Sequence, residues 1–159
     1  MKRRTLFITQ AAMIAALYVI LTLLANAIGL ASMAVQVRFS EALTILPFFT
    51  PAAIPGLFAG CLISNLLIGS MPLDIVFGSV ATLFGAIGTY VLRKYSWLAP
   101  LPPIISNAVI VPWILTTVYK FEGSYFYFMA TVGLGQIISC GVLGMILLYG
   151  LKPYRENFQ

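Results

Sequence analysis

The sequence predicts an all-α fold: a polytopic membrane protein with six transmembrane helices, the second of them short. Three observations predict it. Hydrophobic residues make up 61% of the 159 residues and charged residues only 8%, where a soluble domain carries roughly 25% charge. The apolar residues gather into six runs parted by proline, glycine and basic clusters. The basic residues, which favour the cytoplasmic side of a membrane, sort to one side if the chain crosses six times. Too few polar side chains remain to cover a globule in water. That excludes a soluble enzyme domain, a disordered chain and a nucleic-acid binder. A spanning helix takes about 20 apolar residues, so a single transmembrane domain over residues 1–159 accounts for the length.

The first helix is expected over 5–29, after Lys2-Arg3-Arg4. Ala25-Asn26-Ala27 imitates the cleavage site of a signal peptide, but the apolar region is longer than such a signal's. A small, polar stretch over 30–38 leads to the short second helix, 39–49, closed by Thr50-Pro51. About eleven residues at 1.5 Å each cover roughly half of a 30 Å core. This segment must therefore be shielded by its neighbours; a re-entrant arm is the competing reading. The third helix is expected over 52–69, with Pro51 and Pro55 suiting its first turn, where a missing N–H costs little. Ser70-Met71-Pro72 parts it from the fourth, 73–92, which Arg93-Lys94 stops. Pro100, Pro102 and Pro103 open the fifth, 101–119. A polar loop from Lys120 to Ser124 precedes the sixth, 125–151, which carries no charge before Lys152.

Six crossings put Lys2, Arg3, Arg4, Arg93, Lys94, Lys152 and Arg155 inside with both termini, leaving only Arg38 and Lys120 outside. Glu41, Asp74 and Glu122 then fall on the outer side, and Glu156 on the inner. Ionisable groups at membrane depth are costly and usually face a cavity or each other. Glu41 and Asp74, expected at outer helix ends, thus mark a wet outward-facing pocket; interfacial residues solvated by headgroups are the bland alternative. Lys120 and Glu122 read as ordinary loop residues. Small residues recur four apart: Ala11/Ala15 and Ala12/Ala16, Gly56/Gly60/Ser64, and Ala81/Gly85/Thr89. Such spacing lets helix backbones approach closely in lipid. Packing within the bundle explains the later two sets, while a partner subunit is a live alternative for the first helix.

The chain has no histidine, which excludes Ser-His-Asp triads and His-based metal sites. Cys61 and Cys140 sit in apolar runs without ligand spacing and read as small packing residues. No metal or other cofactor is expected. No P-loop occurs, so the chain does not bind ATP through one of its own. The polar groups expected at depth are Asn65, Asn107, Gln136 and hydroxyls. Amides are good hydrogen-bonding groups and poor general bases, which favours recognition over catalysis. There is neither a midplane carboxylate nor a convincing inverted repeat, as an ion-driven carrier would have. The chain reads as a binding subunit powered by something else.

The candidate pocket holds Glu41, Asp74, Asn65, Asn107 and Gln136, with Arg38 and Gln36 in the loop above and Trp113, Tyr119 and Phe126 near. A flat heterocycle fits this inventory. A carboxylate accepts two adjacent N–H groups of a guanine-like edge, and amides supply mixed donors and acceptors. Aromatic faces stack on the ring.

Four stretches carry a resemblance. They are Val37-Arg38-Phe39-Ser40-Glu41-Ala42-Leu43-Thr44-Ile45-Leu46-Pro47, the run from Pro55-Gly56 to Ser64-Asn65, the Leu73-Asp74 helix start and Pro103-Ile104-Ile105-Ser106-Asn107. They resemble the QueT family, substrate-binding S components of energy-coupling factor (ECF) transporters, over nearly the whole chain. The Arg-x-Ser-Glu-Ala-Leu segment is the most specific part. The resemblance implies six helices in the cell membrane and an outward site roofed by the loop between the first two. It implies an ABC-type importer with a transmembrane T component and two cytoplasmic ATPases. It implies a queuosine precursor as substrate, a 7-deazaguanine such as the 7-aminomethyl form. It implies an S component that binds outside, topples within the membrane and releases inward. Ala11, Ala12, Ala15 and Ala16 match the face that docks on the T component. An S component for another vitamin and a ligand-free assembly subunit remain open alternatives.

Overall fold

The computed structural model describes residues 2–30 and 37–158, so Gln36 lies outside the described residues. Those residues are helical, with no β-strand among them. The α-helices are α1 (Lys2–Ala27), α2 (Ala53–Leu67), α3 (Pro72–Val91), α4 (Leu101–Thr117), α5 (Tyr125–Gln136) and α6 (Gly144–Leu151). A 3-10 helix, Phe39–Phe48, stands between α1 and α2, and a π-helical turn, Ile137–Leu143, joins α5 to α6.

Four helical runs are long and apolar enough to cross a bilayer: Arg3–Ala27, Pro72–Val91, Ser96–Thr117 and Tyr125–Arg155. The 3-10 helix and α2 are apolar but shorter. At 1.5 Å per residue, α2 reaches about 22 Å, less than a hydrocarbon core of roughly 30 Å. Of the six expected spans, four are long enough to cross, and the segments at Phe39–Phe48 and Ala53–Leu67 are shorter. α2 ends early because its C-terminus is capped. Ser70 N–H bonds Asn65 O at 3.0 Å and Gly69 N–H bonds Leu66 O at 3.2 Å, the paired bonds of a Schellman cap. Gly69 takes φ +75 there, a conformation open to glycine without strain.

The second segment differs from an α-helix. Pro47 lacks the N–H that a rung requires, and the Thr44 hydroxyl donates to Glu41 O at 2.6 Å. A 3-10 helix rises about 2.0 Å per residue, so ten residues stretch to about 20 Å. All of it from Ser40 to Phe48 except Ala42 is buried. It lies against α1, α2, α3, α6 and the π turn, which is the shielding its length demands.

α1 and α2 meet through small residues. A Cβ on Gly56 would stand 2.7 Å from Ala11 O, and one on Gly60 would stand 3.1 Å from Ala15 Cα. α3 and α4 meet the same way, with Gly85 against Pro103 and Gly88 against Pro102. One end of the bundle is basic. Arg3, Phe49 and Arg93 line one recess there, and Phe48, Arg93, Lys94, Lys152 and Arg155 another. Both chain ends and the turn after α3 thus share that end. Tyr119, Met71 and Asp74 meet at the other.

Replacing Gly56 by leucine should push α1 and α2 apart and lower the melting temperature in detergent, by the about 1–3 kcal/mol typical of overpacking. Gly150→Ala, with nothing within 4 Å of the added carbon, should leave it unchanged. Equal melting of both variants would show that the α1–α2 contact is not this close.

Candidate functional site

Glu41 lies in the first turn of the 3-10 helix and is only 2% exposed. Tyr18 Oη, from α1, donates to Glu41 Oε1 at 2.6 Å. Asn107 Nδ2, from α4, reaches Oε2 at 3.4 Å and also donates to Pro103 O at 3.1 Å. The Cys140 thiol points at Glu41 O at 3.4 Å and at Gln136 Oε1 at 3.1 Å. The π turn makes this reach possible. It widens the helix where Ser139 and Cys140 face inward, and Ser139 Oγ accepts the Arg38 N–H at 3.2 Å. Such turns insert one residue into a helix and re-aim its side chains, often at functional sites. Thr22 Oγ1 donates to Ser40 Oγ at 2.8 Å and ties α1 to the same turn.

Asp74 sits apart, half-buried in the first turn of α3. Tyr119 Oη donates to Asp74 Oδ2 at 2.8 Å and accepts the Met71 N–H at 3.3 Å. Partial burial raises the Tyr119 phenol above its ordinary value, with the Met71 N–H opposing and Asp74 reinforcing. The phenol therefore stays protonated and keeps donating. A polar seam links the two carboxylates. Gly78 lies between Asp74 and Asn65: a Cβ on it would stand 3.4 Å from Asp74 Oδ1 and 3.3 Å from Asn65 Nδ2. Asn65 Nδ2 approaches Cys61 Sγ at 3.6 Å, and Thr82 Oγ1 donates to the same sulfur at 3.4 Å. Cys61 shares the buried core with Tyr18. Asn65 Oδ1 is buried without a hydrogen-bond partner.

The expected depths need one correction. Asn107 lies about 15 Å by helix rise from the Thr117 end of α4, and Glu41 bonds to it. Glu41 is therefore deep in the bundle, while Asp74 is near the Tyr119 end. The reason is that the 3-10 helix begins inside the bundle and not at its surface.

The structure brings Glu41, Asn107 and Gln136 into one network. Arg38 is half-buried beside it, tied to the π turn by its backbone N–H bond to Ser139 Oγ. Asn65 and Asp74 join through Gly78. Trp113 does not join. It is 43% exposed and packs edge-on against Phe77 at 5.2 Å. Phe126 also faces outward. Ala11 and Ala15 are occupied by α2, whereas Ala12 and Ala16 are exposed. Tyr18, Thr44, Ser139 and Cys140 were not among the expected residues. Tyr18 carried a signal, since Ile14, Tyr18, Thr22 and Ala25 form a buried stripe at helical spacing that includes two hydroxyls. Among the described residues no cluster of His, Cys, Asp or Glu could hold a metal ion.

A family model described as the QueT transporter matches residues 8–153. A curated relative, the "Queuosine precursor transporter QueT" of Lactococcus lactis subsp. cremoris (strain MG1363), is 34% identical over 95 residues. The match covers 59% of this chain and 56% of the relative, so the chain spans little more than half of that relative's length. No solved structure matches.

The two kinds of polar group predict unequal costs without ligand. Tyr18→Phe removes a donor from a buried carboxylate and should destabilise the chain by about 1.5–3 kcal/mol. Asn65→Leu removes an acceptor that has no partner and should cost much less. Thermal melting of the ligand-free variants compares them, and a larger loss for Asn65→Leu would contradict this account of the site.

Proposed function

The chain belongs to the QueT transporter family, and on that premise we propose that it is the substrate-binding S component of an ECF-type importer. Its substrate is a queuosine precursor, a 7-deazaguanine such as 7-aminomethyl-7-deazaguanine. One observation carries the reading above the rest. A lipid-embedded bundle buries the Glu41 carboxylate and three amides, Asn65, Asn107 and Gln136, one of them with an unpartnered oxygen. Such groups at depth serve ligands or ions. The printed name of the relative points to the same substrate class.

In this reading Glu41 accepts the paired N–H groups of the guanine-like edge, held in place by Tyr18 and Asn107. Asn65 supplies its free acceptor. Asp74 neutralises the aminomethyl ammonium, though the two carboxylates could exchange roles. Gln136 and Arg38 complete the wall. The chain forms one transmembrane domain, crosses the cell membrane six times with both termini cytoplasmic, and uses its two short helices as shielded crossings. The placement of both basic chain ends at one end of the bundle supports an even number of crossings. A T component docks on α1 through Ala12 and Ala16, since α2 already covers Ala11 and Ala15, and two ATPases drive the cycle.

The rival reading is a ligand-free assembly subunit. Its support is that Glu41 already has two donors within the chain. The unpartnered Asn65 Oδ1 speaks against it, because a purely structural network would have paired that atom.

Two measurements test the proposal. Titration calorimetry with 7-aminomethyl-7-deazaguanine should give saturable binding that Glu41→Gln weakens about 10–100-fold, the loss expected for a hydrogen bond to a charged group. Guanine serves as the control ligand. Binding of riboflavin or thiamine instead would overturn the substrate, and no change on Glu41→Gln would overturn the site. Ala12→Leu/Ala16→Leu should abolish co-purification with the T component while leaving substrate binding intact. Retained co-purification would move the docking face elsewhere.

A further inference from the structure

The basic end of the bundle holds a cleft of about 440 Å³ lined by Phe48, Arg93, Lys94, Ser96, Lys152 and Arg155. Four of the six lining residues are cations and none is acidic. They come from the turn after α3 and from the short helix Lys152–Phe158, so the fold gathers them from distant stretches of sequence. Like charges drawn together repel one another unless something balances them. Here three of the four cations are steadied by ring faces. Arg93 lies 4.3 Å from the Tyr90 centroid, Arg155 5.2 Å from Phe48 and Lys152 5.7 Å from Tyr149. A ring face orients a cation but leaves its full charge and its outward N–H donors available.

The level of the cleft says which anion fits. Tyr95, Trp97, Tyr149 and Tyr154 around it are exposed, and Trp and Tyr concentrate where a bilayer meets water. The helices leading away from the cleft expose Val91 on α3 and Ile146 on α6, apolar surface suited to acyl chains. A free anion would use the cations alone, whereas a lipid uses cations, aromatic rim and apolar flanks together. We propose that this cleft binds the phosphodiester head of an anionic phospholipid. Basic pockets between membrane helices are suited to such headgroups. Two guanidinium forks can hold the phosphate oxygens, and the lysines add charge. The site stands at the far end of the 3-10 helix from Glu41 and is independent of the transported substrate.

The test uses the full chain in detergent, titrated with phosphatidylglycerol and followed by native mass spectrometry. The expected result is retained phosphatidylglycerol and no retained phosphatidylcholine. R93Q/R155Q should weaken retention roughly 30-fold, the product of about fivefold for each basic residue at an anionic surface. R4Q/K120Q removes the same charge outside the cleft and should bind as the unaltered chain does. Glycerol 1-phosphate at millimolar concentration should not displace the lipid. Equal loss in both variants, equal retention of phosphatidylcholine, or displacement by glycerol 1-phosphate would each overturn the proposal. Melting temperatures of the lipid-free variants separate lost binding from lost folding, and R93K/R155K, which keeps the charge, should regain most of the retention.

Discussion

A carboxylate buried in a lipid-embedded bundle sets the terms for everything around it. Removing a charge from water costs several kcal/mol even after relaxation unless partners replace the water. Lipid offers none. Glu41 therefore needs donors fixed by the protein, and the bundle provides Tyr18 from one long helix and Asn107 from another. Those donors work only if the helix carrying Glu41 is itself enclosed. The 3-10 helix is accordingly packed on by α1, α2, α3, α6 and the π turn. One of its carbonyls, Glu41 O, is also met by the Thr44 hydroxyl from the same helix and the Cys140 thiol from the π turn. A short central helix, which looks deficient when measured against membrane thickness, becomes the core around which the longer helices stand.

That enclosure depends on close helix contact, which depends on side chains that are nearly absent. Gly56 and Gly60 let α2 lie directly on the backbone of α1, and Gly85 and Gly88 let α3 lie on Pro103 and Pro102. Helices in lipid gain little from hiding apolar surface, so van der Waals contact and hydrogen bonds must hold them. Hydroxyls supply the bonds at the same seams. Ser106 Oγ donates to Ala81 O at 3.0 Å and Thr89 Oγ1 to Ala99 O at 2.8 Å. The packing also sorts the alanines of α1. Ala11 and Ala15 lie against α2, and Ala12 and Ala16 are exposed.

Segment positions were legible because their signals are local. Proline in first turns, basic stops and apolar runs place the helices within a few residues of where they stand, and the amides Asn65, Asn107 and Gln136 stood out in an apolar background. Helix type was not legible. Whether Phe39–Phe48 winds as 3-10 and whether Ile137–Leu143 opens into a π turn depend on which carbonyl each N–H meets, and neighbours decide that. Tyr18 was overlooked because the alanines beside it offered a simpler account of the helix. Trp113 stands apart from the Asn107 network because an aromatic near a polar residue in sequence need not share its face: six positions beyond Asn107 the helix has turned away from it. Depth was misjudged for Glu41 because its helix starts within the bundle, a feature that no count of residues reveals.

Charge is distributed unevenly along the bundle, and the unevenness bears on transport. Arg93, Lys94, Lys152 and Arg155 crowd one end, with no acidic residue lining their cleft, while Asp74 stands near the other end and Glu41 deeper in. The basic end repels a ligand with a cationic arm, as proposed, so the field disfavours entry from that face. In the proposed reading an ammonium beside Asp74 would offset its charge, and ligand N–H donors would meet Glu41 and Asn65. The loaded chain would then carry less uncompensated polarity than the empty one. Polar groups without partners are costly against hydrocarbon, so a filled site would lower the cost of bringing this region to lipid.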